Sequence, residues 1–400
     1  MTELIDVDVC IVGAGPVGGT LACRLAEAGI ATAIIDRAAL PPMEHPDFDG
    51  RAYAIAAGSR RVLEDAGLWD QLPYPPGPIL DIRVTDGKLG RPASSLFLHF
   101  DSRDAGEEAF GWMVEARSLR MAINARMAEL PHLQVFAPAE ARVERHEDHA
   151  DVHIAGGPTL RAKLVVAGEG RRSTLRQQAA IPVTHLPYHQ TGIVCAIAHE
   201  QPHNGTALEH FLPAGPFAQL PMAGNDAAPN ISAIVWTERS AQAERILRLD
   251  DPAFTRELAR RLGPHLGPIR LLGRRWSYPL SAMIVHRFTA PRLALIGDAA
   301  HGIHPIAGQG LNLGFRDIAS LSTLILEGAD PGSPEILRRY QAARRPDTML
   351  MLAATDALDR LFSNDNPALR LARDLGIAAV HRIPPLKRLF MRQAMGALTS

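Results

Sequence analysis

The sequence predicts an α/β protein in which a mostly antiparallel β-sheet is inserted into a domain of alternating strands and helices, followed by a helical C-terminus. Three observations predict this architecture. The chain opens with a strand, a glycine-rich turn, a helix and a second strand. Residues 182–278 then change to alternating strand patterns separated by turn clusters. A late apolar strand at residues 293–296 is again followed by glycines and a helix, so the first pattern resumes after an insertion.

Composition excludes several classes of function. Of 400 residues, 46% are hydrophobic and 21% charged, as in a globular chain with two or three domain-sized units. With 42 basic and 43 acidic side chains the net charge is -1, so no nucleic-acid partner is expected. The acidic start is unlike a signal peptide, and polar residues interrupt every long uncharged stretch. Three scattered cysteines fit a reducing compartment, so we expect a cytoplasmic protein.

The first motif is Gly13-Ala14-Gly15-Pro16-Val17-Gly18, at the turn between the first strand and the first helix. Gly13 permits the tight turn, Gly15 lets a pyrophosphate approach the backbone, and Gly18 allows close packing of helix on strand. The helix N-terminus then faces the phosphate charge. Asp36 ends the second strand 18 residues after Gly18, close to the ~20 expected of a carboxylate that accepts ribose hydroxyls. This order of elements predicts a Rossmann-like domain that binds a dinucleotide.

The second motif follows the late strand. Gly297-Asp298 leads into a loop, residues 299–310, that opens a helix from about Leu311. Asp298 offers a carboxylate for sugar or ribityl hydroxyls, and the N-H groups and positive end of the helix suit an electron-rich ring. The negative charge of a reduced flavin would be stabilised there, so this motif favours FAD over NAD. His301 and His304 offer two metal ligands without a visible third, and we therefore expect no metal site.

The predicted domains are discontinuous along the chain. The FAD-binding domain is expected to comprise residues 1–75, 100–180 and 279–345, and the substrate domain residues 76–99 and 181–278. Residues 346–400 are expected to form a C-terminal helical segment, ending in a basic amphipathic helix over residues 385–397.

In these two motifs the sequence resembles the aromatic-ring flavin monooxygenases, and within them the ubiquinone-biosynthesis hydroxylases. The resemblance spans nearly the whole chain and implies a Rossmann-like FAD-binding domain of the aromatic-hydroxylase type. Further segments that carry it, in order, are Gly50-Arg51-Ala-Tyr-Ala-Ile55, Val114-Glu-Ala-Arg117-Ser-Leu119, Pro202-His203, Glu209-His-Phe211, Gly215-Pro-Phe-Ala218, Leu220-Pro221, Val235-Trp236-Thr237, Tyr278-Pro-Leu280 and Arg344-Arg345-Pro-Asp347.

The resemblance also implies contacts with the cofactor. Arg51 and Arg117 are expected near the FAD diphosphate, Asp36 on the adenosine ribose, Asp298 on the flavin-side sugar, and residues 310–312 at the isoalloxazine. The full set of implied cofactor-binding residues is Gly13, Ala14, Gly15, Pro16, Val17, Gly18, Asp36, Arg37, Arg51, Arg117, Gly297, Asp298, Pro305, Gly308, Gly310, Leu311 and Asn312.

One loop departs from the family pattern. The family usually has Asp-Gly after the late strand of the first half, whereas this chain has Gly168-Glu169-Gly170. Glutamate is longer by one methylene. How this loop contacts the FAD diphosphate and the transient nicotinamide donor is therefore open at this point.

The implied reaction is the reduction of FAD by NADPH or NADH, capture of dioxygen as a flavin C4a-hydroperoxide, and hydroxylation of the aromatic ring of a polyprenylated phenol on the way to ubiquinone. The cofactor carries the hard chemistry, so no catalytic base is assigned. His210, Tyr188 and His304 are conceivable partners of the phenol, although satisfied structural roles are commoner for such residues.

Partners and alternatives follow from the same resemblance. A polyprenyl tail needs a lipid-facing entrance, which the basic C-terminal helix could supply by peripheral membrane or multi-enzyme association; packing of that helix on the protein itself stays open. The alternative functions are a generic phenol hydroxylase, an FAD-dependent isoprenoid reductase, and a catalytically idle flavoprotein scaffold. Halogenation is disfavoured because the four tryptophans are scattered along the chain.

Overall fold

The computed structural model describes residues 3–40, 48–87, 97–225, 228–362 and 395. The predicted basic helix over residues 385–397 thus lies outside the described residues, apart from Met395. No helix in the described ranges combines the length and the apolar character needed to cross a bilayer.

The strands and helices of the described residues are as follows. The strands are β1 (Leu4–Val12), β2 (Thr32–Ile35), β3 (Ala52–Ala56), β4 (Gly77–Ile79), β5 (Asp81–Asp86), β6 (Phe97–Asp101), β7 (Gly111–Glu115), β8 (Leu133–Phe136), β9 (Ala141–Arg145), β10 (Ala150–Ile154), β11 (Thr159–Ala167), β12 (Val183–His199), β13 (Thr206–Leu212), β14 (Gly215–Met222), β15 (Ile231–Arg239), β16 (Ile269–Val285), β17 (Thr289–Ala290), β18 (Leu293–Leu295) and β19 (His301–Gly302). The helices are α1 (Pro16–Glu27), α2 (Ala57–Asp65), α3 (Ala116–Glu129), α4 (Thr174–Gln178), α5 (Ser240–Leu247), α6 (Asp251–Leu262), α7 (Gln309–Leu326) and α8 (Pro334–Phe362).

The first sheet forms the dinucleotide-type part of the fold. Its order is β17-β18-β11-β1-β2-β8, with β9 and β10 added beside β11, and β18, β11, β1, β2 and β8 run parallel. Helices on its faces bury the central strands, and β2 is accordingly buried at every position. The carboxyl ends of β1, β2, β11 and β18 meet at one edge, where ligands bind in folds of this type.

The second sheet carries the long antiparallel strands, in the order β19-β16-β12-β15-β14-β13-β5-β6. Helices α5 and α6, which the sequence analysis did not predict, cover one of its faces. Phe217 of β14 and Trp236 of β15 pack there against Phe254 of α6, in a core separate from that of the first sheet. The opposite face turns toward β3, β4 and β7, which form a three-stranded sheet of their own.

These sheets confirm the predicted fold class, an α/β protein with an inserted, mostly antiparallel sheet and helices toward the C-terminus. Strand β16 runs without a break through residue 279, where the sequence analysis placed a domain boundary. Strand β4 pairs with β7, whereas β5 and β6 join the large sheet. The exact domain boundaries therefore stay a prediction.

Candidate active site

Three glycines shape the turn between β1 and α1, for different physical reasons. Gly13 has φ of +106°, and a Cβ there would lie 2.5 Å from the Gly168 carbonyl oxygen. A Cβ at Gly18 would lie 1.9 Å from the Gly13 carbonyl oxygen. Gly15 has φ of -65°, and a Cβ there would meet no atom within 4 Å. The fold therefore requires glycine at 13 and 18, whereas at 15 glycine leaves a space open.

The space at Gly15 adjoins an uncapped helix N-terminus. Gly15 is the N-cap of α1, Pro16 begins the helix, and no side chain caps the first turn or places an acid in it. The N-H groups of a first helical turn lack partners within the helix, and the helix dipole adds positive potential there. The turn is therefore suited to a phosphate group.

Asp36 stands just beyond β2, beside the same turn. Its carboxylate accepts hydrogen bonds from the Ala14 N-H at 2.7 Å and from the Ala38 N-H at 2.9 Å. Each carboxylate oxygen keeps a further lone pair, so sugar hydroxyls can still bind. The neighbouring Arg37 is exposed.

Arg120 of α3 adds a positive charge to this turn, and this residue was not predicted from the sequence. Its guanidinium donates a hydrogen bond to the Ala14 carbonyl oxygen. Burial lowers the pKa of Arg120, while Tyr53 and Asp36 act in the opposite direction. An arginine in the middle of a helix far along the chain gives no local signal of such a contact.

Arg51 and Arg117 both lie in ion pairs. Arg51 approaches Asp49 at 2.7 Å, and its guanidinium lies 4.4 Å from the centre of the Trp276 ring. Arg117 approaches Glu115 at 2.6 Å. The side chain of Arg51 is 32% exposed and that of Arg117 only 9%. Arg51 is therefore the more accessible of these two charges.

The two glycine-rich motifs meet in space. A Cβ at Gly297 would lie 3.2 Å from Val17 Cγ2, and a Cβ at Gly314 would lie 2.6 Å from the same atom. Val17 belongs to the first turn of α1, so α1 and α7 cross where α7 carries a glycine. Residues almost 300 positions apart in the sequence thus form one continuous surface.

Helix α7 begins much as α1 does. Pro305 leads into a 3-10 turn over Ile306–Gly308, and Gly308 is the N-cap with φ of +63°. No side chain caps α7 and its first turn has no acidic residue. A Cβ at Gly310 would meet no atom within 4 Å, while the next residue, Leu311, packs against the core. This second helix end therefore also has free N-H groups beside open space.

Asn312 ties α7 to β3. Its Nδ2 donates to the Ala54 carbonyl at 2.9 Å and to the Gly308 carbonyl at 3.1 Å, and its Oδ1 accepts from the Ala56 N-H at 2.9 Å. The residue is 1% exposed. Because its amide is buried and bonded to the backbone of β3 and of the turn before α7, we expect a ligand to contact this position through the backbone.

Asp317, which the sequence analysis also missed, holds the second loop in place. It accepts hydrogen bonds from the Gly297 N-H at 2.8 Å, from His301 Nε2 at 2.7 Å and from Arg344 Nε at 2.7 Å. Burial alone would raise the pKa of Asp317, but the charges of His301 and Arg344 hold it below its ordinary value. The sequence signal was an Arg-Asp pair, Arg316 and Asp317, inside a helix with no other charged residue.

Asp298 lies at the rim of the site. Its side chain is 55% exposed, and its one ion pair is a long contact of 3.5 Å with Arg171 Nε. Arg171 also donates to the Ser281 hydroxyl at 2.8 Å. The Asp298 carboxylate therefore stays accessible to ligand hydroxyls.

Glu169, the departure from the family pattern, caps α4. One carboxylate oxygen accepts from the Ser173 hydroxyl at 2.6 Å and the Leu175 N-H at 3.2 Å; the other accepts from the Thr174 hydroxyl at 2.6 Å and N-H at 3.2 Å. Both carboxylate oxygens of the longer glutamate side chain thus accept hydrogen bonds from within its own loop. Its neighbour Gly168 contacts Gly13, so this loop borders the first glycine turn.

The side chains and backbone groups around the two turns fit FAD. Gly15 and Gly310 each leave open space beside an uncapped helix N-terminus, which suits a diphosphate at one turn and the electron-rich side of a flavin at the other. Asp36 and Asp298 supply one carboxylate beside each turn for sugar and ribityl hydroxyls.

The three conceivable phenol partners lie in two places. His210 Nδ1 lies 2.6 Å from the Thr85 hydroxyl, and burial lowers its pKa. His304 is fully buried, with Nε2 3.2 Å from Gln190 Oε1. The Tyr188 ring lies 5.0 Å from the His304 ring, and burial raises the pKa of Tyr188, with the charges of Asp356 and Asp359 acting in the same direction.

The histidines of the second motif are engaged with protein groups, His301 with Asp317 and His304 with Gln190. Within the described ranges, one set of three side chains could hold a metal ion: His146, His149 and Asp151, around the turn between β9 and β10. It lies outside both glycine-rich turns, and His146 and His149 already contact Asp151 at 3.5 Å.

Similarity to known proteins extends over nearly the whole chain. The sequence profile of the FAD binding domain matches residues 6–355. Ubiquinone hydroxylase UbiL of Rhodospirillum rubrum is 50% identical over 396 residues, covering 98% of this chain and 90% of that protein. The 3-demethoxyubiquinol 3-hydroxylase of Escherichia coli is 31% identical, covering 97% of this chain and 98% of that enzyme. Among solved structures, p-nitrophenol 4-monooxygenase PnpA from Pseudomonas putida DLL-E4 covers 100% of both chains with a TM-score of 0.76 at 20% identity, a likeness of fold.

Proposed function

Because the chain belongs to the FAD binding domain family of flavin-dependent aromatic hydroxylases, we propose that it is an FAD-dependent monooxygenase that hydroxylates the aromatic ring of a polyprenylated phenol in ubiquinone biosynthesis. The observation that carries this proposal is the 50% identity to a ubiquinone hydroxylase over 98% of this chain. NADPH or NADH is the expected electron donor and dioxygen the co-substrate, as is typical of the family.

The residues of the two glycine-rich turns hold the cofactor in this proposal. The N-H groups at the start of α1 bind the diphosphate, and Asp36 accepts the hydroxyls of the adenosine ribose. Arg51 adds charge near the diphosphate, because it is the more exposed of the two arginines. Asp298 binds the flavin-side sugar, and the backbone of residues 310–312 contacts the ring. When bound, FAD supplies the redox chemistry, passing electrons from the nicotinamide to dioxygen.

The face of the large sheet opposite α5 and α6 holds the phenol ring, at the part that approaches β3. Leu220 of β14 and Ala233 of β15 pack there with Ala52 and Ala54 of β3, so the face is apolar where it approaches the FAD-binding part. Ala54 is the residue whose carbonyl Asn312 binds. An apolar floor next to the flavin end excludes water from the reacting groups and accommodates a prenylated ring.

A purified-protein assay tests the proposal. The protein loaded with FAD is supplied with NADPH or NADH, ¹⁸O₂ and a geranyl-substituted phenol, and the product is examined by mass spectrometry. The expected product carries one ¹⁸O atom in a new hydroxyl group on the aromatic ring. Oxidation of the nicotinamide with a reduced isoprenoid and no oxygen uptake would point to a reductase, and a bound FAD that neither donor reduces would point to a scaffold.

A cellular experiment addresses the pathway. Cells that lack this protein are expected to accumulate a quinone precursor missing one ring hydroxyl, and the missing position identifies the carbon that is hydroxylated. Unchanged ubiquinone content would exclude a role in ubiquinone biosynthesis and leave a generic phenol hydroxylase as the proposed function.

Peripheral membrane or complex association is a further part of the proposal, and it rests on the sequence of residues 385–397 alone. Apolar Leu386, Leu389 and Phe390 lie there beside basic Lys387, Arg388 and Arg392, a composition that suits an anionic bilayer surface. The protein should sediment with anionic vesicles and less with neutral ones. If the protein does not sediment with anionic vesicles, this result would count against membrane association.

A further inference from the structure

Glu209 lies on the face of the large sheet opposite α5 and α6. Side chains alternate along a strand, and in β13 Leu212 packs into the core beneath α5 and α6. His210 shares that covered side, since it pairs with Phe217 of the same core. Glu209 therefore points to the opposite face, between Ala207 and Phe211, which are both buried there.

The register places Glu209 in an apolar row that crosses the sheet. Its neighbours are Val84 on β5 and Ala218 on β14, and beyond Ala218 come Val235 on β15 and Val194 on β12. Val84, Val235 and Val194 are only partly buried, as is Glu209 itself. A single carboxyl group thus interrupts an otherwise apolar strip that faces an accessible space.

That space lies between two apolar clusters, each containing residues from outside the large sheet. On one side of Glu209, Ala207 belongs to the cluster that includes Ala54 of β3. On the other side, Phe211 packs with Leu361 of α8. A Cβ at Gly308 would lie 3.0 Å from the Ala54 Cβ, so the loop that opens α7 borders the first cluster. Glu209 therefore lies beside the apolar cluster that the loop before α7 also borders, the loop where the flavin ring is proposed to lie.

No hydrogen bond or ion pair joins the Glu209 carboxyl group to any residue the structure describes. Burial raises its pKa from the ordinary 4.5 to about 7, yet the side chain still reaches solvent, so the group is surrounded by protein without being sealed. A buried carboxyl group normally finds partners, and one without them suits a ligand that supplies the hydrogen bond.

The charged groups around it do not explain the shift. Strand β14 has no titratable side chain. On β5, Asp86 shares the face of Glu209, whereas Asp81 and Arg83 point to the other face by the same alternation. The end of α8 contributes Asp356, Asp359 and Arg360 on the turns before Leu361. Desolvation is the one cause of the raised pKa, so these groups leave Glu209 free to respond to a ligand.

We propose that Glu209 is a catalytic residue that accepts the proton of the substrate's phenolic hydroxyl. This inference rests on the proposed function and assigns the phenol-activating group of that same site. One proton moves and no electrons are exchanged: the phenol O-H bond breaks, a carboxyl O-H bond forms, and the electron pair stays on the phenolate oxygen. The phenolate ring carries more electron density than the phenol and is therefore the better nucleophile toward an electrophilic oxygen atom. The carboxyl group can return its proton to the phenolic oxygen when the ring becomes aromatic again.

The other titratable candidates fit this role less well. His210 lies on the covered face and contacts Thr85. His304 is fully buried beside Gln190. Burial raises the pKa of Tyr188, which makes its phenolate harder to form. Glu209 combines accessibility, a free carboxyl group and a pKa near the operating pH, the value at which a general base is most effective.

The test is E209Q, which keeps the shape of the side chain and removes the base. Hydroxylation of an ortho-geranyl phenol is measured between about pH 5 and 9, together with FAD content. In the wild type, kcat/KM should rise with pH through about 7, because the carboxylate is the active form and kcat/KM reports the free enzyme. E209Q should retain FAD, lose about 100-fold in kcat/KM, within the usual ~10²–10⁴ of a general base, and lose this pH limb.

The matched control is E244Q, the same chemical change on the exposed side of α5, which should behave as the wild type. The methyl ether of the phenol, which has no proton to give, should be hydroxylated poorly by the wild type and no worse by E209Q. An E209Q enzyme within twofold of the wild type with the same pH limb would overturn the inference while the proposed function stands. A wild type that hydroxylates no prenylated phenol would overturn both. If E209Q does not retain FAD, the pH dependence of the wild-type enzyme provides the test. A wild-type kcat/KM that does not change over this pH range also overturns the inference.

Discussion

The turn before α1 and the turn before α7 have the same form but are held by different forces. Both place an uncapped helix N-terminus beside a glycine that leaves open space. The first is set by backbone sterics, because a Cβ at Gly13 or Gly18 would collide with main-chain atoms of neighbouring turns. The second is held by a buried carboxylate, Asp317, that binds the Gly297 N-H and the side chains of His301 and Arg344. One geometry can thus be built from short-range sterics or from long-range charge pairing.

Removing the charge at Asp317 should have the largest effect. D317N removes one of the two carboxylates that pair with the buried Arg344 and leaves Asp347 as its remaining partner, and breaking a buried ion pair costs up to about 3–5 kcal/mol. The free energy of unfolding, measured by urea denaturation, should fall by that amount. E335Q, which breaks an exposed pair on α8, should change it by less than about 0.5 kcal/mol. Equal stability of D317N and the wild type would show that the second turn does not depend on this charge.

The same variant predicts a change in acid stability. The pKa of Asp317 is lowered in the folded protein, so its contribution is present above the unfolded carboxyl pKa of about 3.9 and is lost as the pH falls through the folded value. Wild-type stability should therefore decline more steeply on acidification than that of D317N. Parallel pH profiles would contradict this.

At the first turn, substitution of Gly15 should separate binding from folding. G15V places its side chain in open space at a φ that valine tolerates, so the protein should fold with an unchanged melting temperature in the absence of FAD. The same side chain blocks the diphosphate, and the affinity for FAD should fall at least about 100-fold, or about 2.8 kcal/mol. G18V is the contrast, since its Cβ would collide with the Gly13 carbonyl and it should not fold. Normal reconstitution of G15V with FAD would contradict the assignment of the diphosphate to this turn.

At the second turn, Asp298 should matter for the ligand and little for the fold. D298A removes an exposed carboxylate whose contact with Arg171 is long, so stability should hardly change. Loss of charge-assisted hydrogen bonds of about 1.5–3 kcal/mol should weaken FAD binding about 10- to 100-fold. Flavin retained during gel filtration reports the effect, with D70A on an exposed 3-10 turn as the control. Undiminished retention by D298A would mean that this carboxylate does not bind the sugar.

The smallest effect is expected at Glu169, in the loop that borders the first turn. E169A removes a cap from α4, and such caps are worth about 1 kcal/mol. The urea midpoint should shift by that amount, with only an indirect loss of FAD affinity through Gly168. A loss of FAD affinity as large as that of G15V would show that this loop contacts the cofactor directly.

Much of the fold followed from local patterns in the sequence. The strand, glycine turn, helix and strand at the start, and the late strand before α7, lie where periodicity and glycine spacing predicted them. Helices α5 and α6 were missed, because their apolar residues were interpreted as part of a region of strands. Asn312 was expected at the flavin ring, yet its amide binds the backbone of β3, a contact that no local pattern specifies.

The sequence by itself determined that two uncapped helix starts with open glycines would exist, because glycine spacing and the preceding strands act over a few residues. Only the tertiary structure decided what surrounds them. Asp317 meets Arg344, and Arg120 meets the Ala14 carbonyl, through chain crossings that bring distant positions together. The isolated carboxyl group of Glu209 could not be predicted from the sequence either, since the burial that raises its pKa arises only when β13 is placed between β5 and β14 and apolar residues pack on that face.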